Sequence, residues 1–421
     1  MRELESHLPA PLALFERHAR ALALGSAALL AVLIVLHPYT MPMRYPLFNL
    51  VDLQTYRDGG RAILAGEPLY DSTSGIYHLN FVYTPFAALA FVPLAWFPAW
   101  LTDALAPYAQ LAVLVWIVWM GLRSLGHPDT GALRRATLGI TSVLLWLEPV
   151  FQTICLGQIN LVLLLLLVWD TCAPRPARSL RWQGIAVGVA AGIKLTPGIF
   201  IVYLAATRRL RAAALACAAF AGTAVLGFLA APHDSWTWWG GTFARGTRIG
   251  EYAICVNQSW SGLVARLLHA EHLLQWTWVL GAAAIASLGL WMAVMAHRDG
   301  HTLLGATLCG MTGTMVSPFS WSHHWVWFAP LALVALHHAR AFSARARTLA
   351  VAAFAVCLLA WPVGFVTGRH EPDMFGLFAI APWHGLDVVY HNVFILVYAA
   401  VAVAAIRFLR RTDVGLVECR T

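Results

Sequence analysis

The chain has 421 residues, of which 60% are hydrophobic and only 11% charged, with a formal net charge of +8. A soluble globular domain carries about 25% charged residues to keep its surface wet. Composition therefore excludes a soluble enzyme, a disordered chain and a secreted disulfide scaffold. A mean hydropathy of +0.68 fits what remains, an all-α polytopic membrane protein read as one domain over 1–421. Of the 28 basic residues, 27 are Arg and one, Lys194, is Lys. The Arg fall in short clusters between apolar runs, the pattern of the positive-inside rule rather than of nucleic-acid binding. The seven Cys form no CxxC pair, so neither a disulfide framework nor a zinc site is indicated.

In chain order, a charged N-terminus precedes an apolar run at 21–37, read as a retained signal-anchor helix. A polar stretch follows over 38–80, then an apolar run at 81–97 interrupted by Pro85, Pro93 and Pro98. Spans are expected at 104–122, 136–151 and 158–171. The next two segments, 183–194 and 195–206, are too short for a bilayer core that needs roughly 20 apolar residues per helix. They read as half-helices meeting at Lys194-Leu195-Thr196-Pro197-Gly198, where Pro197 cannot donate to the helix ladder. Further spans are expected at 212–231, 274–297, 302–317, 324–338, 348–366 and 391–408, twelve in all. The clusters Arg123/Arg134/Arg135, Arg175/Arg178/Arg181, Arg208/Arg209/Arg211, Arg298, Arg340/Arg345/Arg347 and Arg407/Arg410/Arg411 would then mark the cytoplasmic edge. A crossing at 81–97 would put Arg123, Arg134 and Arg135 outside, so that run reads as re-entrant or interfacial. External segments are expected at 38–80, 232–260 and 367–390.

The few acids and internal polar residues carry the chemistry. Asp52 and Asp58 lie in the first external stretch. Asp52 has the more apolar neighbours and suits a general base, while Asp58 stands between Arg57 and Arg61. Both are also compatible with capping or solvating a loop helix. Lys194 is an ammonium inside an apolar helix, which calls for a cavity or a partner unless it snorkels to the interface. Gly184, Gly188 and Gly192 upstream recur at a spacing that lets another helix pack closely. Gln158 and Asn160 fit sugar hydroxyls or the backbone of their own turn, with Glu148 near the same depth. His323 and His324 open a span and suit an anion better than a shared metal. Glu251 and Asn257 stand beside aromatics, as in sugar sites or headgroup-facing loops. His384, Asp387 and His391 have a spacing that could align three ligands on one helical face. No GxxxxGK[ST] or GxGxxG occurs, so nucleotide phosphates are unsupported.

Taken together, Val51-Asp52-Leu53-Gln54-Thr55-Tyr56, Gly66-Glu67-Pro68-Leu69-Tyr70, Phe81-Val82-Tyr83-Thr84-Pro85, Gly157-Gln158-Ile159-Asn160, Lys194-Leu195-Thr196-Pro197, Asn257-Gln258-Ser259 and Ser317-Pro318 with His323-His324 follow one another in a familiar order. The set resembles the actinobacterial GT-C polyprenyl-phosphate-mannose-dependent α-1,2-mannosyltransferases that act on phosphatidylinositol mannosides or lipomannan. The resemblance implies a multi-pass plasma-membrane enzyme with short broken helices and an active site on the extracytoplasmic face. It would invert a β-linked lipid-phosphate mannose into an α-1,2-mannoside on a glycolipid. By motif position Asp52 would be the base, with Asp58 as the alternative. Lys194, His323 and His324 would hold the donor phosphate, and Tyr56, Arg61, Tyr83, Gln158, Asn160, Glu251 and Asn257 would line the substrates. Asp52-Leu53-Gln54 lacks the second acid of the paired-acid metal motif of many GT-C enzymes, so neither metal nor cofactor is expected. The partners are a lipid-linked mannose donor, a glycolipid acceptor and membrane lipids. The rival readings are a flippase for a lipid-linked sugar and a GT-C enzyme using another donor such as arabinofuranose.

Overall fold

The computed structural model describes residues 8–40, 47–71, 73–74, 78–174, 180–244, 250–269, 275–361 and 374–418. Arg175, Arg178 and the first part of the third external segment, 367–373, with Arg369, His370, Glu371 and Asp373, lie outside the described residues. The chain is built from helices: α1 (Ala10–Thr40), α2 (Val51–Ala65), α3 (Pro85–Ala95), α4 (Ala99–Ser124), α5 (Gly131–Leu144), α6 (Glu148–Leu156), α7 (Asn160–Thr171), α8 (Ile185–Ile193), α9 (Ile199–Ala206) and α10 (Leu210–Ala230). These are followed by α11 (Pro232–Trp239), α12 (Trp260–Leu268), α13 (Gln275–Arg298), α14 (Thr302–Val316), α15 (Phe328–His337), α16 (Ala344–Leu358), α17 (Asp387–Tyr390) and α18 (Val393–Glu418). A short antiparallel pair, Thr73–Ser74 with Leu79–Asn80, follows α2. Among the described residues five helices are long and apolar enough to cross a membrane, within α1, α4, α10, α13 and α18. Large side chains such as Leu24, Leu229, Leu280 and Trp100 stand exposed on them, as lipid-facing residues do.

Side-chain contacts sort the helix ends into two groups. The Glu16–Arg135 ion pair (2.7 Å) and the Trp146 to Ser26 hydrogen bond (2.9 Å) show that α1 and α5 run parallel. The turn after α4 meets the end of α15 through His127 and His337, and the end of α7 meets the start of α14 through Cys172 and the Thr302 carbonyl. Arg209, between α9 and α10, reaches the Thr171 carbonyl. These contacts gather Arg123, Arg134, Arg135, Arg209 and Arg298 at one end of the bundle. At the other, Leu50 N–H donates to Cys155 C=O (3.0 Å), and the 257–258 loop pairs with 320–321. Helix α3 is 11 residues, about 16 Å, too short for a bilayer core. It lies between α2 and the far end of α10, with Thr84 as its N-cap.

The short pair α8 and α9 forms a hairpin that enters and leaves at the arginine-rich end. A Cβ on Gly184 would meet the Ala212 carbonyl at 1.9 Å, one on Gly188 the Ala216 carbonyl at 2.3 Å, and one on Gly192 the Thr223 hydroxyl at 2.2 Å. Both sets of numbers rise together, so α8 runs parallel to α10 in near backbone contact. The chain breaks at Lys194, passes a 3₁₀ turn over Thr196–Gly198, and returns as α9 to the start of α10. Asp170, 1% exposed near the end of α7, anchors the start of the hairpin. Its carboxyl oxygens accept the Gly184 N–H at 2.9 and 3.0 Å and the Val187 N–H at 3.0 Å, and its carbonyl accepts from the Gln183 amide. First-turn amides of a helix have no internal partner, and inside a bilayer there is no water to replace one. Asp170→Ala is expected to cost about 1–3 kcal/mol, and Asp170→Asn, which keeps an acceptor, clearly less. Thermal unfolding of the detergent-solubilised chain checks the order; equal losses for the two variants would show that the cap is not the cause.

Candidate active site

Asp52 sits in the first turn of α2, partly buried and next to Leu53. Helix α2 is held against the loop end of α6 at Gly157, which adopts a left-handed φ of +68°. A Cβ there would lie 2.7 Å from that of Leu53, so only glycine lets α2 come this close. The next residue, Gln158, organises the site. Its Oε1 accepts from the Tyr56 hydroxyl at 2.6 Å, and its Nε2 donates to the Tyr83 hydroxyl at 3.1 Å. The two hydroxyls are 2.9 Å apart, and the Tyr56 ring stacks on Phe91 with centroids at 4.3 Å. Burial pushes both hydroxyls well above their usual range, helped at Tyr83 by the negative charge of Asp52 and at Tyr56 by Tyr83 and then Asp52. Both tyrosines therefore remain neutral hydrogen-bond donors at any physiological pH.

Lys194 terminates α8 on the far side of Tyr83. Its ammonium nitrogen lies 3.0 Å from Asn160 Oδ1, 2.9 Å from His324 Nε2 and 5.8 Å from the centre of the Tyr83 ring. Donation by the ammonium fixes His324 as the Nδ1–H tautomer, with Nδ1 3.4 Å from the Ser320 hydroxyl. Asn160 uses its other amide atom, Nδ2, on the His323 carbonyl at 3.0 Å, which Thr153 also reaches. The Thr84 hydroxyl donates to the Gly192 carbonyl at 2.5 Å, so the N-cap of α3 also holds the end of α8. The negative charge of Asp52 is felt at Lys194 as well as at the tyrosines. Below Lys194 a crevice of about 450 Å³ opens. Asn160, Lys194 and His324 form one polar end, and the rest of the lining is mostly apolar, from Leu164, Phe200 and Trp327 among others.

Asp52, Tyr56, Tyr83, Gln158, Asn160, Lys194 and His324 thus converge. The other residues singled out in the sequence stand elsewhere. Asp58 pairs with Arg61 at 3.5 Å on the exposed side of α2, and Glu251 is exposed. Asn257 is fully buried and spends its amide on the Tyr252 carbonyl, the Ser259 hydroxyl and the Ser320 N–H, tying the second loop to the 317–325 segment. The His323 ring turns away to lie parallel to Trp321. His391 is bonded to the Ile380 carbonyl and His384 is exposed; among the described residues no three His, Cys, Asp or Glu converge as a metal cage. Sequence reasoning missed Gln110, whose amide donates to the Gln158 carbonyl. Its signal was a lone amide within the apolar run 104–122.

Residues 81–318 match glycosyltransferase family 87. The polyprenol-phosphate-mannose-dependent α-(1-2)-phosphatidylinositol mannoside mannosyltransferase of Mycobacterium tuberculosis is 35% identical to the chain over 300 residues, 68% of this chain and 69% of its own length. The protein of the same name from Mycolicibacterium smegmatis is 35% identical over 306 residues, with the same coverage. A pentamannoside mannosyltransferase of the latter organism, also polyprenol-phosphate-mannose-dependent, is 32% identical over 322 residues, 75% of this chain and 76% of its own. No solved structure matches. The Gln158 amide is the keystone that the geometry puts to the test. Gln158→Leu strands two buried hydroxyls, at about 1–3 kcal/mol each, and the loss is expected to shrink when Tyr56→Phe removes one of them first. Unfolding midpoints of the four proteins in this cycle measure the coupling, and strict additivity would dismiss the network.

Proposed function

The chain belongs to glycosyltransferase family 87, and from that premise we propose that it moves mannose from a polyprenyl-phosphate donor to a phosphatidylinositol mannoside or related glycolipid, forming an α-1,2 linkage. The observation that carries the reading is the placement of Lys194, at the polar end of an apolar crevice and within the field of Asp52. A lipid phosphate needs both parts of such a crevice: a cation for the head and an apolar channel for the isoprenoid tail. The relatives favour a transferase over the carrier that broken helices also suit.

In this reading the acceptor hydroxyl oxygen attacks the anomeric carbon from the face opposite the phosphate. Asp52 takes the hydroxyl proton as the new C–O bond forms. The bond between the anomeric carbon and the phosphate oxygen breaks, and its electron pair leaves with the polyprenyl phosphate. The second negative charge that develops there is met by Lys194, with His324 and Asn160 orienting the ammonium. Direct displacement inverts the β-linked donor to the α product. Tyr56 and Tyr83, held neutral, supply hydroxyl donors between the acid and the cation. The arginine-rich end faces the cytoplasm and the loop end the outer surface, with α1, α4, α5–α6, α7, α8, α9, α10, α13, α14, α15, α16 and α18 as the twelve spans. The site then opens at the extracytoplasmic face of the plasma membrane. No cofactor or metal enters this scheme.

Purified chain, polyprenyl-phosphate-mannose and a phosphatidylinositol mannoside acceptor in detergent, without any gradient, form the assay, with product read by mass spectrometry. Asp52→Asn is expected to lower turnover by about 10²–10⁴-fold with the fold retained. Asp58→Asn should stay near wild type. Near wild-type turnover of Asp52→Asn would remove Asp52 as the base. Lys194→Met is expected to raise the donor KM and lower kcat together, and an unchanged donor KM would separate Lys194 from the phosphate.

A further inference from the structure

The arginine-rich end of the bundle holds a second crevice, of about 420 Å³, which the transfer reaction leaves unused. Its walls come from the end of α4 with Ser124, the α13–α14 turn with His301 and Thr302, and the end of α15 with His337 and His338. The imidazoles meet edge to face in a row. His127, only 8% exposed, bonds through Nε2 to His337 Nδ1 at 3.2 Å. The His337 and His338 rings are 4.8 Å apart, those of His338 and His301 5.3 Å, and Phe408 closes the row. That leaves the ring nitrogens of His301 and His338 without hydrogen bonds among the described residues, at the wall of the crevice. No Asp or Glu is among the lining residues.

The surroundings point to one ligand chemistry. In sequence Arg123 precedes Ser124, Arg298 and Asp299 precede Gly300, and Arg340 follows His338 by two positions. The α14 helix starts in the crevice, and its N-cap, His301, makes no side-chain cap. Imidazole and hydroxyl groups from three elements, with no carboxylate among the lining residues, match a tetrahedral oxyanion, and the α14 dipole adds to them. A metal is a poorer match, because the imidazoles follow one another along a row rather than converging on a point. We propose that this crevice is a phosphate site, filled by the headgroup of an anionic phospholipid or by free phosphate, and separate from the transferase site at the other end.

The test uses the full chain in a neutral detergent, with thermal unfolding as the readout, since a ligand of the folded state raises the midpoint. The probes are short-chain phosphatidylglycerol, short-chain phosphatidylcholine and inorganic phosphate. Protection by phosphatidylglycerol beyond phosphatidylcholine and inorganic phosphate assigns the site to an anionic lipid. Equal protection by inorganic phosphate assigns it to the free ion. In either case the His301→Gln/His338→Gln double variant is expected to bind about tenfold more weakly. Should that variant fold poorly, ¹⁵N-histidine spectra of the wild-type chain replace it, with the His301 and His338 signals identified from the single variants. Those two signals are expected to move on addition of the protecting probe. Absence of protection by every probe, undiminished protection in the double variant, or unmoved His301 and His338 signals would overturn the proposal.

Discussion

An ammonium group inside a membrane protein has to be answered by its neighbours, and the answer to Lys194 organises this chain. Placing one Lys at the centre of a membrane helix costs about 2.5–3.5 kcal/mol on insertion scales. Here the cost is offset by groups from four elements. Asn160 opens α7, His324 belongs to the turn before α15, Tyr83 precedes α3, and Asp52 lies in the first turn of α2. The last turn of α8 contributes too, because unpaired carbonyls at a helix C-terminus favour a cation. Each contact requires its element to stop or bend at the right depth. Broken helices and short loops at this end are therefore consequences of a single buried charge.

Neutral groups hold the site open around that charge. Gln158 ties two tyrosines that stay protonated, and Gln110 fixes Gln158 from behind. A network of this kind adds no net charge to a region that already holds a carboxyl group and an ammonium. The Gln158 amide and both tyrosine hydroxyls are partnered within it, which favours a rigid site over a loose one. Asn257 does comparable work further out, binding the second loop to the segment that carries His324.

Much of this was legible in the sequence, for a physical reason. In a chain with 11% charged residues, a polar side chain inside an apolar run needs a purpose, so Lys194, Gln158, Asn160 and Tyr83 stood out. The break after Lys194 and the close packing of Gly184, Gly188 and Gly192 were likewise readable from proline and glycine chemistry. What could not be read was direction. His323 and His324 are adjacent, and only the 3₁₀ turn over Ser322–Trp325 decides that one ring faces Lys194 while the other lies along Trp321. Asp58 and Arg61 share a helix with Asp52 but point elsewhere, and Asn257 looked like a ligand because a satisfied amide and a free one have the same letter. Gln110 was missed because its partner is 48 residues away.

The anchoring of α8 at both ends has a corollary for how the gene can change. Asn160 and Asp170 are ten positions apart on α7, and Lys194 and Gly184, their respective opposites, are ten positions apart along α8. The two rods run antiparallel and are matched in length, about 15 Å between fastenings. Substitutions can be absorbed one contact at a time. A single inserted or deleted codon in either rod cannot, since it shifts one fastening by about 1.5 Å and turns it by roughly 100°. Length variation in this stretch should therefore come only as compensated pairs, one in each rod.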